Sequence, residues 1–443
     1  MAGVANKSAL EAGGQLAAVG FSLVSGILVS RLLGADGRGA YVLTTVIATT
    51  FFVALGDLGL SAAFRVFAAR EPELMGRLHG AAIAVAVAAG AVGGLGAVLA
   101  RRYALGVGEW MDARLLIGVA LGLPFLLYQS FWRGLVTGLG AIREKAAADV
   151  AFAAIQCSGI FLVAFAVPGR PVAVFIGVYF LVAAVVGLAM GGRLAVRFDA
   201  RPLAPGLGLL RRLFAYGKWV YAGDVGARLR LQVDQVFAQA LGGEAVLGRY
   251  NQGASLAGRS LLFPTALVTA SYQSIVASPR PEALRLVASA FRQCLLMGVV
   301  LTALGWVAAP LIPLIYGADF AASVAPFRLL VPAIALLGAS QVLAAYFSGH
   351  LADPRVPAAV NWMTLGVEAA ACLVCVPLAG VLMGVALGTA ITCAATLGFF
   401  LWAFLRRPET PGVSTLLRFE RGDVLAWMRL VAGVRSAVTS RKG

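Results

Sequence analysis

The sequence predicts an all-α integral membrane protein with about twelve transmembrane helices. Its 443 residues are 60% hydrophobic and only 13% charged, and the mean hydropathy is +0.88. Soluble domains carry about 25% charged residues, so these values exclude a single large soluble core. Strands of about ten residues with alternating hydrophobicity, the pattern of a membrane β-barrel, do not occur in the sequence.

Twelve stretches are apolar and long enough to cross the hydrocarbon core, which takes about 20 residues per helix. They lie at about 8–30, 40–63, 78–100, 114–136, 146–167, 171–192, 213–241, 246–275, 288–315, 323–348, 356–377 and 380–405. Arginine and lysine are enriched about threefold in the segments that are cytoplasmic if both termini lie inside. We therefore predict cytoplasmic termini, although the pair Arg101 and Arg102 opposes this orientation.

The longest internal loop divides these spans six and six. We predict two six-helix lobes, a linker and a tail, in the following order: an N-terminal lobe over 1–192, a cytoplasmic linker over 193–212, a C-terminal lobe over 213–405 and a cytoplasmic tail over 406–443. Within the tail, residues 421–438 form either an amphipathic helix on the inner leaflet or a simple polar extension.

Short motifs recur in the same order in both halves. Residues 33–41 (LGADGRGAY) match 241–250 (LGGEAVLGRY) with one residue inserted, and 137–143 (TGLGAIR) parallel 348–355 (SGHLADPR). An even number of spans separates the copies, so the predicted repeat is parallel, with its axis along the membrane normal. Transporters built from internal repeats bind substrate at the interface between the repeats.

The seventh predicted span, 213–241, carries more charges than any other span. An ionised side chain at the bilayer centre costs about 2.5–3.5 kcal/mol, so these groups must pair or face a wet interior. At about 100° per residue one face is polar over about four turns. This face comprises Asp224, Arg228, Gln232, Gln235 and Gln239. The pattern predicts the lining of a polar pathway, with Asp224 and Arg228 spaced to form an ion pair.

A second pair, Arg230 and Asp234, lies on another face of the same span, where it forms either a structural salt bridge or part of the pathway. Span eight adds Arg259, which shares a face with Asn251 and has no acidic residue three or four positions away. An intramembrane arginine is a functional candidate, and its planar donors suit phosphate oxygens. We expect Arg259 to line a ligand cavity, with structural pairing as the alternative.

Other polar residues extend this set. Gln15 lies in span one, and Asp57 and Arg65 bracket the end of span two. The candidates for H⁺ or Na⁺ coupling are the acids Glu11, Asp234 and Glu368. For each of these acids, a solvated or paired structural role stays open.

Motifs for other functions do not occur in the sequence. There is no GxxxxGK[ST] phosphate loop, no soluble nucleotide-binding domain and no Ser/His/Asp or metal-ligand pattern, so we expect neither an enzyme, an ATP-driven pump nor a cofactor. Cys372 and Cys375 have metal-ligand spacing, but they lie within an apolar span and the sequence has no second cysteine pair of this kind. We expect them to pack as small apolar side chains. The net charge of +16 is scattered between spans, which favours membrane topology over nucleic-acid binding.

Two stretches resemble a known family. Residues 29–41, followed by 58–63 (LGLSAA), resemble the start of bacterial polysaccharide-biosynthesis flippases, Wzx-like members of the multidrug/oligosaccharidyl-lipid/polysaccharide exporter superfamily. Residues 310–320 (PLIPLIYGADF) resemble the loop after span nine in that group. The resemblance implies a MATE-like fold in the bacterial cytoplasmic (inner) membrane. It also implies alternating-access movement of an undecaprenyl-diphosphate-linked glycan from the inner to the outer leaflet.

The resemblance further implies a central cationic cavity lined by spans one, two, seven and eight. These spans carry Glu11, Gln15, Arg65, Asp224, Arg228 and Arg259. The partners that it implies are the lipid-linked glycan, membrane lipids and polysaccharide polymerase or export proteins, and no nucleic acid. Two alternatives remain open: an H⁺- or Na⁺-coupled antiporter of drugs or metabolites with the same fold, and a non-transporting scaffold of an envelope-assembly complex.

Overall fold

A computed structural model of the chain describes residues 2–102, 113–167, 169, 171–351, 353–407, 412 and 416–418. The regular structure of these residues is entirely helical. The α-helices are α1 (Ala2–Val42), α2 (Thr49–Asp57), α3 (Leu60–Arg70), α4 (Met75–Arg102), α5 (Ala113–Gly138), α6 (Ile142–Ala166), α7 (Val172–Arg197), α8 (Leu207–Arg259), α9 (Leu262–Ala277), α10 (Arg280–Ala308), α11 (Leu311–Tyr316), α12 (Val324–Ala345) and α13 (Arg355–Leu405). Short π-helices occupy Leu43–Ala48 and Tyr346–His350, and 3₁₀-helices occupy Pro72–Leu74 and Ala318–Ser323.

Seven helical segments within the described ranges are long and apolar enough to cross a membrane. Two of them, Gly13–Asp57 and Arg355–Leu405, are 45 and 51 residues long and each contains a break between two predicted spans. The predicted all-α polytopic fold is therefore confirmed. The amphipathic helix predicted at 421–438 lies outside the described residues.

Glycines with positive φ break three of the longest helices. Gly34 in α1 has φ 67° and ψ −166°, Gly243 in α8 has φ 74° and ψ −172°, and Gly380 in α13 has φ 76° and ψ 164°. Only glycine adopts such angles without a steric cost from Cβ. Each of these glycines therefore marks the turn between two consecutive predicted spans.

These breaks carry the internal repeat. Gly34 and Gly243 occupy corresponding positions in the two copies of the first repeated motif, and their backbone angles are nearly the same. Gly169, between α6 and α7, has φ 70° and stands in the first half where Gly380 stands in the second. The chain therefore reverses direction at equivalent points in both halves, which supports the predicted parallel repeat.

The second repeated motif is equivalent in hydrogen bonding but not in backbone angle. The Ala141 N–H donates to the Val136 carbonyl at 2.8 Å, and in the second copy the Leu351 N–H donates to the Tyr346 carbonyl at 3.1 Å. In the first copy, Gly140 has φ 69°. Both copies thus end a span with a backbone hydrogen bond between residues five positions apart, and only the first copy has a glycine in the left-handed region.

The two copies of the first motif also pack on each other. A Cβ atom on Gly39 would overlap the carbonyl of Glu244, and a Cβ atom on Gly248 would overlap the carbonyl of Ala35. The displacement along the chain that relates Gly34 to Gly243 also maps Gly39 onto Gly248 and Ala35 onto Glu244. The two contacts are therefore reciprocal, as in an isologous two-fold interface.

The chain folds into two compact units. The first comprises 1–251 with 313–320, and the second comprises 252–312 with 321–443. In the first unit α5 packs against α3, α4 and α7, and α1 packs against α6. In the second unit α12 packs against α10 and α13. The first unit thus includes the seventh predicted span, and the lobe boundaries at 192 and 213 stay a prediction.

Each unit has its own core of large buried side chains. The first core contains Leu60, Phe64, Phe131, Trp132 and Leu194. The second core contains Phe291, Leu343, Tyr346, Phe347 and Phe404.

The reciprocal glycine contact gives a stability prediction. Gly248→Ala places Cβ against the Ala35 carbonyl, which belongs to the backbone and cannot rotate away, so we expect a loss of about 1–3 kcal/mol. Gly258→Ala is the matched control, because it lies in the same helix and its Cβ would meet no atom within 4 Å. The measurement is thermal unfolding in mild detergent. Equal melting temperatures for the two variants would contradict the packing described above.

Candidate functional site

A chain of buried hydrogen bonds connects α1 with α8 within the first unit. Arg38 is 8% exposed, and its Nη1 donates to Ser30 Oγ at 2.9 Å and to the Gly26 carbonyl at 3.2 Å. Its Nη2 donates to Asn251 Oδ1 at 3.1 Å, and Asn251 Nδ2 donates to Gln235 Oε1 at 2.9 Å. One guanidinium therefore links predicted spans one, seven and eight at the junction of the repeat, just before span two begins.

Asp234 lies beside this chain and is also buried. Its Oδ2 accepts a hydrogen bond from the Tyr250 hydroxyl at 2.7 Å, and its Oδ1 accepts one from the Gln235 N–H at 2.7 Å. The partner expected from the sequence was Arg230. The charge of Arg230 does act on the Asp234 carboxylate, while the Nε of Arg230 is buried and has no hydrogen-bond partner among the described residues.

Arg228 forms an ion pair with Asp57 at the C-terminal end of α2. Its Nη2 lies 3.6 Å from Asp57 Oδ2, and the Asp57 side chain is 4% exposed. Asp57 also accepts hydrogen bonds from the Ser61 N–H at 2.9 Å and from Ser130 Oγ at 3.1 Å. The sequence predicted Asp224 as the partner of Arg228, but the side chain of Asp224 lies outside the described residues. Because a buried carboxylate is costly unless it is paired and hydrogen-bonded, Asp57 needs the ion pair with Arg228 and its two hydrogen bonds.

The remaining residues predicted in the first unit divide into buried and exposed sets. The Oε1 atoms of Gln232 and Gln239 are buried without a hydrogen-bond partner in the described part of the chain. Gln15 on α1 and Arg65 on α3 are exposed, and the side chain of Glu11 lies outside the described residues. Buried amide oxygens without protein donors need water or a ligand, which supports a wet face on this part of α8.

Two predicted residues belong to the second unit. Arg259 is half-buried at the C-terminal end of α8. Glu368 on α13 is 2% exposed, and its Oε1 accepts a hydrogen bond from Thr389 Oγ1 at 2.9 Å. Because Arg228 and Arg259 lie in different units, a common site for them stays a prediction.

The site role of Arg38 and the partner of Asp57 were not predicted from the sequence. Arg38 lies in the repeated glycine motif, where a turn residue is expected to be solvated. Its signal in the sequence is an arginine that follows glycine at the junction of two apolar spans. Asp57 is an acid inside an otherwise apolar stretch, which is itself a sign of function or pairing in a membrane.

The helical fold, the paired apolar spans and the buried polar network together define a polytopic α-helical membrane protein with buried polar groups between its spans. The chain belongs to the polysaccharide biosynthesis protein family, which it matches over residues 4–272. This range contains Arg38, Asp57, Arg228 and Arg259, and it confirms the resemblance identified from the N-terminal motifs. A comparison with curated proteins gave no match.

Solved structures share the fold at low sequence identity. The chain is similar to an inward-facing multidrug resistance MATE family transporter of the MOP superfamily, with a TM-score of 0.66, 16% identity and coverage of 87% of this chain and 93% of that one. For an outward-facing MATE transporter the TM-score is 0.61, with 16% identity and coverage of 90% and 94%. A third structure is a MOP superfamily transporter from Pyrococcus furiosus, described as having a binding pocket of reverse polarity. Its TM-score is 0.61 and its identity 16%, with coverage of 93% of this chain and 95% of that one.

A double-mutant cycle tests the network around Arg38. Arg38→Met and Asn251→Leu each remove one partner of a buried charge-assisted hydrogen bond, so their effects on the free energy of unfolding should not add. We expect a coupling energy of about 1–2 kcal/mol. The control cycle combines Arg38→Met with Thr364→Val in the second unit, and it should be additive within about 0.5 kcal/mol. Additivity in both cycles would contradict the observed contact.

Proposed function

We propose that this transporter moves a polyprenyl-diphosphate-linked oligosaccharide from the inner to the outer leaflet of the bacterial cytoplasmic membrane, by alternating access, for the export of surface polysaccharide. The observation that carries the proposal is membership of the polysaccharide biosynthesis family over the residues that contain the intramembrane arginines. Polymerase and export proteins of the same process are the proposed protein partners, and both chain termini are proposed to be cytoplasmic.

The charges of the first unit suit an anionic lipid headgroup. The two acids near the network are already engaged, Asp57 by Arg228 and two serines and Asp234 by Tyr250. Arg230 keeps a buried Nε without a hydrogen-bond acceptor in the described residues. A diphosphate offers several acceptor oxygens, and a planar guanidinium binds them with two parallel hydrogen bonds. We therefore add Arg230 to the predicted headgroup ligands Arg228 and Arg259.

The buried oxygens of the glutamines on α8 suit the other part of the substrate. Gln232 Oε1 and Gln239 Oε1 have no protein donor among the described residues. Sugar hydroxyls are donors and can satisfy these acceptors in turn, as water does when the substrate is absent. A polar face of this kind accepts many glycans, since amides and hydroxyls adapt their hydrogen bonds.

A coupled antiporter of the same fold is the competing proposal. It would use buried acids that gain and lose a proton or sodium ion. Asp234 and Glu368 are buried, but each accepts a hydrogen bond from a neighbouring hydroxyl, Tyr250 for the first and Thr389 for the second. The multidrug transporters named above share 16% identity with the chain, which supports the fold and not their substrate.

Retained lipids test the headgroup site directly. The full chain is purified in mild detergent, and bound lipids are identified by mass spectrometry. Wild type should retain a polyprenyl-diphosphate glycan, and the triple variant Arg228→Gln/Arg230→Gln/Arg259→Gln should retain at least tenfold less. Each charge-assisted hydrogen bond contributes about 1.5–3 kcal/mol, or roughly 10-fold or more in affinity.

Arg143→Gln is the control for this experiment, since Arg143 is an exposed arginine near the start of α6. It should retain the lipid as wild type does. Wild type without polyprenyl-diphosphate glycan, or a triple variant with unchanged retention, would count against the proposed site.

Reconstitution into vesicles separates the three candidate functions. With a fluorescent polyprenyl-diphosphate oligosaccharide in the inner leaflet, the wild-type protein should expose the glycan to an impermeant lectin outside the vesicle. Protein-free vesicles give the baseline. Cationic drug uptake driven by an imposed pH or Na⁺ gradient, without glycan exposure, would establish the antiporter instead. Neither activity, from protein that retains its unfolding temperature, would favour the scaffold.

A further inference from the structure

A turn at Leu58 and Gly59 breaks the predicted span two. Helix α2 ends at Asp57 and α3 begins at Leu60, and the two residues between them have φ of 50° and 71°. Positive φ is uncommon for residues other than glycine because Cβ crowds the backbone, and a leucine keeps it only where its surroundings hold it there. The contacts of this turn therefore matter for its conformation.

The first part of α8 packs directly on the turn, within the first unit. A Cβ atom on Gly59 would overlap the Gly217 carbonyl, and one on Gly217 would lie 2.7 Å from the Leu58 carbonyl oxygen. One turn further along α8, the Tyr221 hydroxyl donates to the Leu55 carbonyl at 3.4 Å. The backbones of α8 and of the turn thus touch without side chains between them.

Asp57, which directly precedes the turn, forms an asymmetric ion pair with Arg228 of α8. The Asp57 side chain is 4% exposed and accepts two other hydrogen bonds, from the Ser61 N–H and from Ser130 Oγ. The Arg228 side chain is 35% exposed, and its Nη2 lies 3.6 Å from Asp57 Oδ2. A charge-assisted hydrogen bond is about 2.7–2.9 Å long. Arg228 is therefore the partner that a ligand can reach and bind more closely than Asp57 does.

We propose that a diphosphate competes with Asp57 for Arg228, and that its binding separates α8 from the Leu58–Gly59 turn. A buried carboxylate that loses its cation is strongly destabilised, whereas a hydrated one is stable alone. Because Arg228 belongs to α8, and α8 packs on the turn next to Asp57, separation of the two admits water to the carboxylate. The ligand class rests on the function proposed above, in which Arg228 binds a lipid diphosphate.

The exposed contacts between the same two segments oppose this separation only weakly. Arg212 pairs with Glu71, and the two side chains are 52% and 27% exposed. The Arg212 guanidinium also lies 4.9 Å from the centre of the Phe67 ring. Exposed ion pairs contribute little to stability. The buried charge of Asp57 is therefore the main electrostatic term that a ligand can change.

Competition for Arg228 has a reciprocal consequence. The factor by which the diphosphate favours separation must equal the factor by which separation tightens diphosphate binding. Couplings between two sites are typically about 5–150-fold. Any substitution that frees Arg228, or that moves α8 away from the turn, should thus raise the affinity for a diphosphate.

Farnesyl diphosphate, a soluble isoprenyl diphosphate, tests the competition by calorimetric titration of the full chain in nanodiscs. Asp57→Asn removes the charge but keeps an acceptor for the Ser61 N–H and a hydrogen bond with Ser130. We expect it to bind about tenfold more tightly than wild type. Asp149→Asn is the matched control, because Asp149 pairs with Arg133 at 2.9 Å between α5 and α6. It removes the same charge and should bind as wild type does.

A second variant separates α8 from the turn without a change of charge. Gly217→Ala places Cβ against the Leu58 carbonyl, so it should also bind farnesyl diphosphate more tightly than wild type. Gly208→Ala is its control, since a Cβ atom there would meet no atom within 4 Å and the residue lies in the same helix. Equal affinities of these two variants would contradict the proposal.

Spin labels report the separation itself. They are placed at Ala69 of α3 and Ala215 of α8, both exposed, in a chain whose five cysteines are replaced. The distance measured by pulsed electron paramagnetic resonance should lengthen in wild type when farnesyl diphosphate is added. In Asp57→Asn it should be longer without ligand. Farnesol, which has no phosphate, should not change it.

The outcomes distinguish this proposal from the proposed function. Binding of farnesyl diphosphate that is lost in Arg228→Gln, together with unchanged affinity or an unchanged label distance in Asp57→Asn, would overturn the competition and leave the headgroup site intact. No binding of farnesyl diphosphate to wild type would overturn both, because the diphosphate is the competitor in one and the ligand in the other.

Discussion

The first unit depends on the buried hydrogen bonds of the Arg38 guanidinium. The guanidinium is almost fully removed from solvent, in a chain whose surroundings are mostly hydrocarbon, so protein atoms must satisfy its donors. Ser30 and Gly26 supply acceptors from one side, and Asn251 supplies one from the other. The close backbone contacts at Gly39 and Gly248 bring these groups within reach. Packing and polar pairing at this junction are therefore mutually dependent.

The intramembrane acids follow one rule. Asp57, Asp234 and Glu368 are each nearly buried, and each accepts a hydrogen bond from a hydroxyl group of another segment. The arginines do not share one rule: Arg38 and Arg228 have polar partners, whereas the Nε of Arg230 is buried without an acceptor in the described residues. Neutralised acids beside an arginine with spare donor capacity make a surface that attracts anions. This asymmetry supports the phosphate-bearing substrate that we propose.

Hydropathy alone was sufficient for the fold class, because each span has to satisfy its own backbone in lipid and therefore becomes a helix. The Gly34 and Gly243 turns were recognisable because their flanking residues also match. The Gly169 and Gly380 turns were not, since the sequences around them differ. Helical spacing could relate Arg228 only to residues of its own span. Its observed partner, Asp57, lies far away in sequence and required the tertiary fold.

The reciprocal contact of the two repeats has a consequence for how such a chain can change. In a dimer of identical chains, every substitution at a two-fold interface appears twice. When both copies belong to one chain, each side of the interface mutates alone. The displacement that relates Gly39 to Gly248 maps Arg38 onto Leu247, and these two residues already differ in this way: Arg38 reaches into the buried network, whereas Leu247 is a fully buried apolar residue. Covalent fusion of the halves thus allows one side of the interface to carry a buried charge while the equivalent position of the other side stays apolar.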